Sequence, residues 1–286
     1  MQGVRWELNE QQLRVVTHPG GPMLVIAGAG SGKTRALTYR VAYLVRQGVS
    51  PRRVVLLTFT NKAAREMLRR VAELVGPRAA DIWGGTFHHL GNLILRRHAS
   101  LLGYGRDYTI LDQEDQRSLL RGCLKELGLT DRRFPSPQVI AEVRGLCAGL
   151  GRPLEAVLEE RWPHLLEFAP GIARALDLYQ RRKREGNLMD YDDLLVRWWE
   201  LFEEHPEVRR RWAERFQHVL VDEYQDTTPL QARLVDALAE VHGNLMVVGD
   251  DCQSIYSFRG ANLQHLLSFP QRHPGAAVYY LETNYR

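Results

Sequence analysis

The residues best suited to chemistry in this 286-residue chain form a short glycine-rich turn: Gly28, Ala29, Gly30, Ser31, Gly32, Lys33 and Thr34. Glycine lacks a Cβ, so the backbone can fold tightly here and turn successive amide N–H groups onto phosphate oxygens. Lys33 adds a positive charge for the outer phosphates, and the Thr34 hydroxyl can ligate Mg²⁺. The pattern predicts a site for the phosphates of a nucleotide and a magnesium ion.

The segments on either side of the turn support this interpretation. Residues 23–26 form an apolar strand, and residues 33–47 have helical spacing, so a helix N-terminus points at the bound anion. The usual pattern is G-x-x-x-x-G-K-[S/T], and its first position here is Ala27, a change that leaves the mechanism intact. The alternative is a turn that only joins a strand to a helix.

A pair of acids provides the second chemical feature. In the segment HVLVDE, an apolar strand ends at Asp222 and Glu223. One carboxylate can hold Mg²⁺ while the other orients or deprotonates an attacking water. Paired acids at this position could instead belong to a surface turn.

Further apolar runs occur at residues 54–61, 218–227 and 244–251. Continuous apolar strands are typical of a parallel sheet that is buried on both faces. A helix is expected after the first run, with Asn61 as its N-cap, and another is expected after the second, opening at Thr228 and Pro229. Alternation of strands and helices predicts an α/β fold with its sites at the carboxyl ends of the strands.

Residues 90–213 differ in character, since long segments of helical periodicity replace the alternation. We interpret this region as a helical domain inserted into the α/β domain. Its basic run at residues 181–184 favours a solvated helix face over a nucleic-acid contact.

Composition sets the outer limits. The chain is 44% hydrophobic and 25% charged, with a formal net charge of +4, which is typical of a globular protein and compatible with a polyanionic partner. No run approaches the roughly 18–20 apolar residues of a membrane helix, and the N-terminus lacks a signal-peptide core, so a cytoplasmic location is expected. Cys123, Cys147 and Cys252 are widely spaced and suggest neither disulfides nor a zinc site.

Seven segments in order resemble the motifs of superfamily 1 DNA helicases of the UvrD, PcrA and Rep group. They are LNEQQ at 8–12, AGAGSGKTR at 27–35, TFTNKAAREM at 58–67, GTFHHL at 85–90, VDEYQDT at 221–227, VGDDCQSIYSFRGA at 248–261 and LETNYR at 281–286. The resemblance covers nearly the whole chain. It implies a RecA-like P-loop NTPase sheet at residues 1–89 and 214–286, with a helical 1B subdomain inserted at 90–213.

The resemblance also implies roles around the nucleotide base. Gln12 would hydrogen-bond the adenine of ATP, and an amide suits this role because it both donates and accepts. Arg35 and Tyr285 would stack on the two faces of the ring.

Other positions would act at the γ-phosphate. Gln253 would sense the γ-phosphate and couple it to DNA, while Arg259 and Arg286 would supply positive charge. Together with Lys33, Asp222 and Glu223, these residues would form the catalytic set for ATP with Mg²⁺.

The same resemblance points to a site for single-stranded DNA at Thr58, Phe59, Asn61, His88, Tyr256 and Phe258. Aromatic faces stack on unpaired bases without regard to sequence, and hydroxyl or backbone N–H groups can hold the sugar-phosphate chain. Duplex junctions are expected as partners, whereas protein partners are not indicated and a membrane is not expected.

We therefore expect the ATP-binding N-terminal half of an ATP-dependent 3′-5′ DNA helicase that acts in repair or replication restart. The second motor domain of the resembled family is missing from this sequence. Two alternatives stay open: the motor part of a helicase-nuclease, and a module that binds nucleotide and single-stranded DNA without turnover. A phosphate-loop kinase is a more remote option.

Overall fold

The computed structural model of the chain describes residues 7–250 and 266–285. These residues group into two compact units. Within the described ranges, the first unit comprises residues 7–90, 206–227, 232–250 and 266–285, and the second comprises residues 91–205 and 228–231.

The strands, numbered along the chain, are β1 (Met23–Ala27), β2 (Val54–Thr58), β3 (Trp83–Thr86), β4 (Thr109–Ile110), β5 (Leu188–Met189), β6 (His218–Val221), β7 (Leu245–Gly249) and β8 (Ala277–Leu281). The helices are α1 (Glu10–Thr17), α2 (Lys33–Arg46), α3 (Asn61–Val75), α4 (Phe87–His98), α5 (Gln113–Glu126), α6 (Pro137–Leu150), α7 (Leu154–Arg161), α8 (Ala169–Glu185), α9 (Tyr191–Glu204), α10 (Pro206–Arg215), α11 (Pro229–Ala239) and α12 (Phe269–Arg272).

The first unit contains a six-stranded sheet in the order β3-β2-β6-β7-β1-β8, and every pairing is parallel. Strands β2 and β7 are buried at every position, as their continuous apolar sequences predict. Burying one such Val or Leu side chain contributes about 1.5–3 kcal/mol. The parallel sheet with its helices confirms the predicted α/β fold.

Local sequence explains where two of the helices begin. The side chain of Thr60 accepts a hydrogen bond from the Ala63 amide at 3.1 Å, so Thr60 is the N-cap of α3. The expectation that Asn61 would cap this helix was wrong by one residue, because either side chain could accept that bond and the chain turns at Thr60. Helix α11 begins at Pro229, after Thr228, as expected.

The second unit is mainly helical and has its own apolar core. Side chains from α5, α6, α7 and α8 fill this core, among them Leu120, Ile140, Leu158 and Ile172. The unit also contains a parallel pair of two-residue strands, β4 and β5, which are too short for a periodicity signal. Helix α10 groups with the sheet unit, although the predicted limits of the insertion include part of it.

One member of the basic run lies inside the second unit. Lys183 is completely buried, and its ammonium donates to Asp190 Oδ2 at 2.7 Å and also to Asp193. The expectation of a solvated face was therefore wrong for Lys183, because two buried carboxylates neutralise its charge. It holds for Arg181, which is exposed.

Among residues 7–250 and 266–285, no helix is both long enough and apolar enough to cross a membrane.

Candidate nucleotide and DNA site

The glycine-rich turn connects the end of β1 to the start of α2 and has the backbone that its composition predicts. Gly30 and Gly32 have φ angles of +80° and +86°, which glycine adopts without strain. A Cβ on Gly32 would lie 2.4 Å from Nε2 of Gln12, so no larger residue fits there without displacing that side chain. The Ser31 hydroxyl closes the turn by donating to the carbonyl of Gly28 at 2.7 Å.

Gln12 packs directly against this turn. Its side chain is buried, its Nε2 donates to the Ser31 carbonyl at 3.3 Å, and its Oε1 accepts from the Asn9 amide at 3.3 Å. Asn9 returns a bond by accepting from the Gln12 amide, which forms a capping box at the start of α1. The residue predicted to read adenine thus borders the glycine-rich turn, and its role toward the base stays a prediction.

The two residues predicted to flank the base also border the turn. The amide of Tyr285 donates to the Gly30 carbonyl at 3.1 Å, and its hydroxyl accepts from Asn9 Nδ2 at 2.6 Å. Arg35 lies in the first turn of α2 and donates to the backbone carbonyl of Glu7 at 2.6 Å. Stacking of either side chain on a base stays a prediction.

Lys33 is the first residue of α2, and its ammonium lies between two carboxylates. Nζ is 3.2 Å from Glu223 Oε2 and 3.7 Å from Asp250 Oδ2. Glu223 follows β6, and the completely buried Asp250 follows β7. The carboxyl ends of strands β1, β6 and β7 therefore converge on a single positive charge, as expected for neighbouring parallel strands.

Asp250 is a site residue that sequence reasoning missed. It follows an apolar strand in the same way as Asp222, and that signal could have identified it.

Asp222 is only 5% exposed and is held by its backbone, whose amide donates to the Leu57 carbonyl at 2.9 Å. Burial raises the pKa of Asp222 to about 7, and the adjacent Glu223 carboxylate contributes in the same direction. Its Oδ1 makes no hydrogen bond to any residue in the described ranges. A buried carboxylate oxygen with this unmet requirement fits a Mg²⁺ ligand.

Thr34, the other predicted metal ligand, is the second residue of α2 and is partly buried. It follows Lys33 directly at the helix N-terminus, where phosphates and their metal would lie. Its metal ligation stays a prediction.

The structure also brings together the described residues of the predicted DNA site. Thr58 ends β2 and is buried, Phe59 is partly buried, and Asn61 is exposed at the start of α3. His88 lies in the first turn of α4, directly after β3, and Thr58 pairs with Thr86 of that strand. These four positions therefore lie at the carboxyl ends of two adjacent strands.

Comparison with known proteins decides the family. The family model described as the UvrD/REP helicase N-terminal domain matches residues 8–274. This chain belongs to the UvrD/REP helicase family.

Two relatives named as PcrA helicases are similar to nearly the whole chain. The ATP-dependent DNA helicase PcrA of Staphylococcus aureus strain Mu50 is 43% identical over 280 residues, which is 98% of this chain and 38% of that protein. PcrA of Staphylococcus epidermidis strain ATCC 12228 is 42% identical over the same share of each chain. The chain thus spans well under half the length of these PcrA relatives.

Five predicted UvrD/REP site residues lie outside the described ranges: Gln253, Tyr256, Phe258, Arg259 and Arg286. Cys252 lies outside them as well, whereas Cys123 and Cys147 are free thiols, as their spacing predicts.

Proposed function

We propose that this chain is the ATP-binding part of an ATP-dependent 3′-5′ DNA helicase that moves on single-stranded DNA in repair or replication restart. The observation that carries the proposal is the convergence of Lys33, Asp222 and Glu223 at the carboxyl edge of the parallel sheet. Family membership and the PcrA relatives, whose names state an ATP-dependent DNA helicase, support it.

The phosphates of ATP would lie on the amides of residues 29–34, at the N-terminus of α2. Lys33 would contact the outer phosphates, and Thr34 and Asp222 would hold Mg²⁺. Bound magnesium would offset negative charge on the phosphate oxygens. Glu223 would orient the attacking water and accept its proton, a role that suits a carboxylate held next to the phosphate loop.

Other residues would complete the nucleotide site. Gln12 would bond the adenine, with Arg35 and Tyr285 on its two faces. Gln253, Arg259 and Arg286 would respond to the γ-phosphate.

Single-stranded DNA would cross the edge formed by Thr58, Phe59, Asn61 and His88, with Tyr256 and Phe258 adding aromatic faces. Stacking contributes about 1–3 kcal/mol per base and tolerates any sequence, which suits a translocating motor. Moving along single-stranded DNA, the protein would meet junctions between single-stranded and duplex DNA. With DNA and ATP as substrates, the protein would work in the cytoplasm.

Residues 1–89 and 214–286 would form the first motor domain, and residues 90–213 would form its 1B subdomain. A second motor domain would close on the ATP site and supply further positive charge, as in phosphoryl-transfer enzymes generally. A second candidate is a module that binds nucleotide and DNA without turnover.

One measurement separates these candidates: the rate of ATP hydrolysis with and without single-stranded DNA, for this chain and for a form extended past Arg286. We expect stimulation by DNA in the extended form. Nucleotide and DNA binding by both forms without hydrolysis in either would favour the binding module.

The same assay tests the base. Glu223→Gln should retain ATP binding and stall hydrolysis, because the amide cannot accept a proton. Retained turnover in Glu223→Gln would remove Glu223 from its proposed role, whatever the DNA dependence.

A further inference from the structure

Gln225 lies two residues after Glu223, in the short turn that follows β6, and its side chain is 1% exposed. Its amide makes two hydrogen bonds in opposite directions. Nε2 donates to Glu223 Oε2 at 2.8 Å, and Oε1 accepts from the backbone amide of Asp250 at 3.0 Å. Gln225 therefore bridges one of the proposed catalytic carboxylates and the end of β7.

The orientation of this amide is determined by its partners. The Asp250 N–H can only donate, so the oxygen of the Gln225 amide must face it. The nitrogen then faces Glu223, where a carboxylate can accept. Reversing the amide would place its N–H₂ group against another donor, so the two hydrogen bonds allow only one orientation of the Gln225 amide.

Two backbone positions, Gly249 and Glu223, accommodate the Gln225 bridge. A Cβ on Gly249 would lie 2.8 Å from Gln225 Oε1 and 3.4 Å from its backbone nitrogen, so the glycine leaves room for the close approach. Glu223 has a φ of +50°, a left-handed conformation that is uncommon for residues other than glycine. Such conformations persist where surrounding contacts over-determine them, and they cluster at functional sites.

Two side chains of the described residues donate to the Glu223 carboxylate, and both donate to the same oxygen. Lys33 Nζ lies 3.2 Å and Gln225 Nε2 lies 2.8 Å from Oε2, while Oε1 receives no hydrogen bond from residues 7–250 or 266–285. If Lys33 turns to phosphate oxygens, Gln225 is the donor that still fixes Oε2. The other oxygen is then open to a water, since the Glu223 side chain is 37% exposed.

We propose that Gln225 is a positioning residue for ATP hydrolysis, which fixes one oxygen of Glu223 against the end of β7 and leaves the other oxygen for the attacking water. This inference rests on the proposed role of Glu223 as the base. The bridge also ties the base to the strand that leads into residues 251–261, so movement of that strand end would move the carboxylate.

Two variants test the bridge. Gln225→Met keeps the length of the side chain and removes both hydrogen bonds. Gln225→Glu keeps an acceptor for the Asp250 amide and replaces the donor with a carboxylate facing Glu223. The control is Gln231→Met, since Gln231 is also buried and its Oε1 accepts from the Thr228 amide of its own helix start.

Each variant is measured in this chain and in the form extended past Arg286. The readouts are single-turnover ATP hydrolysis with single-stranded DNA, kcat and KM for ATP, affinity for a fluorescent ATP analogue, and hydrogen exchange of the Asp250 amide. We expect Gln225→Met and Gln225→Glu to lower the hydrolysis rate by about 10–100-fold, the usual effect of a misplaced catalytic group, with little change in nucleotide affinity. The Asp250 amide should exchange faster in Gln225→Met, and Gln231→Met should match the unaltered chain.

A double variant separates this inference from the proposed function. Gln225→Met should add little to Glu223→Gln, because the two residues would act as one unit. If Glu223→Gln stalls hydrolysis while Gln225→Met turns over normally, the positioning role fails and the proposed function stands. If Glu223→Gln hydrolyses ATP normally, the base itself is wrong.

Two further results would also overturn the positioning role. Equal losses of hydrolysis and of nucleotide affinity would indicate that Gln225 only supports packing. Unchanged exchange of the Asp250 amide in Gln225→Met would show that the bridge does not hold the end of β7.

Discussion

In the proposed phosphate site, the positive charge of Lys33 is paired with two carboxylates. Its ammonium lies within 3.2 Å of Glu223 Oε2 and 3.7 Å of Asp250 Oδ2, and its side chain is 11% exposed. A lysine this shielded is stabilised by paired carboxylates, and phosphate oxygens would compete with them for the same charge. Nucleotide binding would thereby break the contact between Lys33 and Glu223, and Glu223 would keep its hydrogen bond from Gln225.

Lys33→Ala should weaken nucleotide binding while leaving the chain folded. It removes a charge-assisted hydrogen bond of about 1.5–3 kcal/mol, which corresponds to a loss of roughly 10–150-fold in affinity. Titration with a fluorescent ATP analogue in the presence of Mg²⁺ measures the change. Lys125→Ala, which alters an exposed lysine on α5, is the matched control. Equal affinities in the two variants would reject the phosphate-site assignment of Lys33.

Tyr256→Ala should affect DNA and not ATP, because the proposed contact is stacking on an unpaired base. Loss of one stack of about 1–3 kcal/mol predicts a 5–150-fold weaker complex, as a rough range, with a labelled oligonucleotide. Nucleotide affinity measured on the same preparation serves as the internal control. Parallel losses of both affinities would indicate that Tyr256 supports the fold.

At the scale of residues, the sequence predicts chemistry where a motif places groups on consecutive positions. The turn that ends in Lys33 and the acid that ends β6 could be found in this way. Gln225 could not, because its proposed role depends on the Asp250 amide, which follows another strand and is brought within 3.0 Å only by the fold. The burial of Lys183 was missed for the same reason, since its carboxylate partners belong to a different helix.

At the scale of elements, a buried ionic cluster joins three helices of the second unit. Lys183 of α8 and Arg144 of α6 both contact Asp190 and Asp193, which form the capping box at the start of α9. The Tyr179 hydroxyl also donates to Asp190 Oδ2 at 2.7 Å. The nearby cations hold the pKa of Asp190 below its usual range despite its burial. Each buried charge in this cluster is neutralised by the others. Removing one of them therefore leaves uncompensated buried charge, which destabilises the folded state.

Lys183→Met should destabilise the helical unit strongly. Breaking a buried ion pair by removing one partner costs about 3–5 kcal/mol, because it leaves uncompensated buried charge. Chemical denaturation, followed by circular dichroism of the helices, measures the change. The control lies on the same helix: Arg181→Met alters an exposed side chain and should stay within about 0.5 kcal/mol of the unaltered chain. A similar small effect for Lys183→Met would contradict the buried cluster.

Element type was predictable wherever a segment carried a strong period or a continuous apolar run. Strands β2, β6 and β7 were found because burial on both faces requires such runs. Strands β4 and β5 have two residues each and were not found, since pairing between residues 109–110 and 188–189 is decided by tertiary contacts alone. The strand order of the sheet likewise could not be predicted from local sequence patterns.

At the scale of the whole molecule, the sheet depends on segments that are far apart in the chain. Strand β1 lies between β7 and β8, so the strand that leads into the glycine-rich turn is held on both sides, by residues 245–249 and 277–281. Pairings of such long sequence separation cost loop-closure entropy before they contribute stability. Stability of the sheet unit therefore depends on segments that are distant in the sequence, and a group of that unit whose pKa shifts on folding makes this stability depend on pH.

His218, the first residue of β6, makes this stability depend on pH. Burial lowers the pKa of His218 from 6.5 to about 4, and the positive charges of Arg40 and His242 act in the same direction. The folded chain thus keeps His218 neutral while the unfolded chain binds a proton below pH 6.5. The stability that results is fully present above pH 6.5 and is lost as the pH falls toward 4.

We expect the free energy of unfolding to fall by about 1–3 kcal/mol between pH 7 and pH 4.5 through His218 alone, and His218→Asn should remove that part of the pH dependence. Urea titrations at a series of pH values, without nucleotide or magnesium, measure it. Asp222, whose pKa is raised to about 7, contributes equally to both proteins and cancels when His218→Asn is compared with the unaltered chain. His164→Asn changes an exposed histidine and should follow the curve of the unaltered chain. If His218→Asn and the unaltered chain lose stability in parallel on acidification, the neutral, partly buried imidazole of His218 does not cause the pH dependence of the sheet unit.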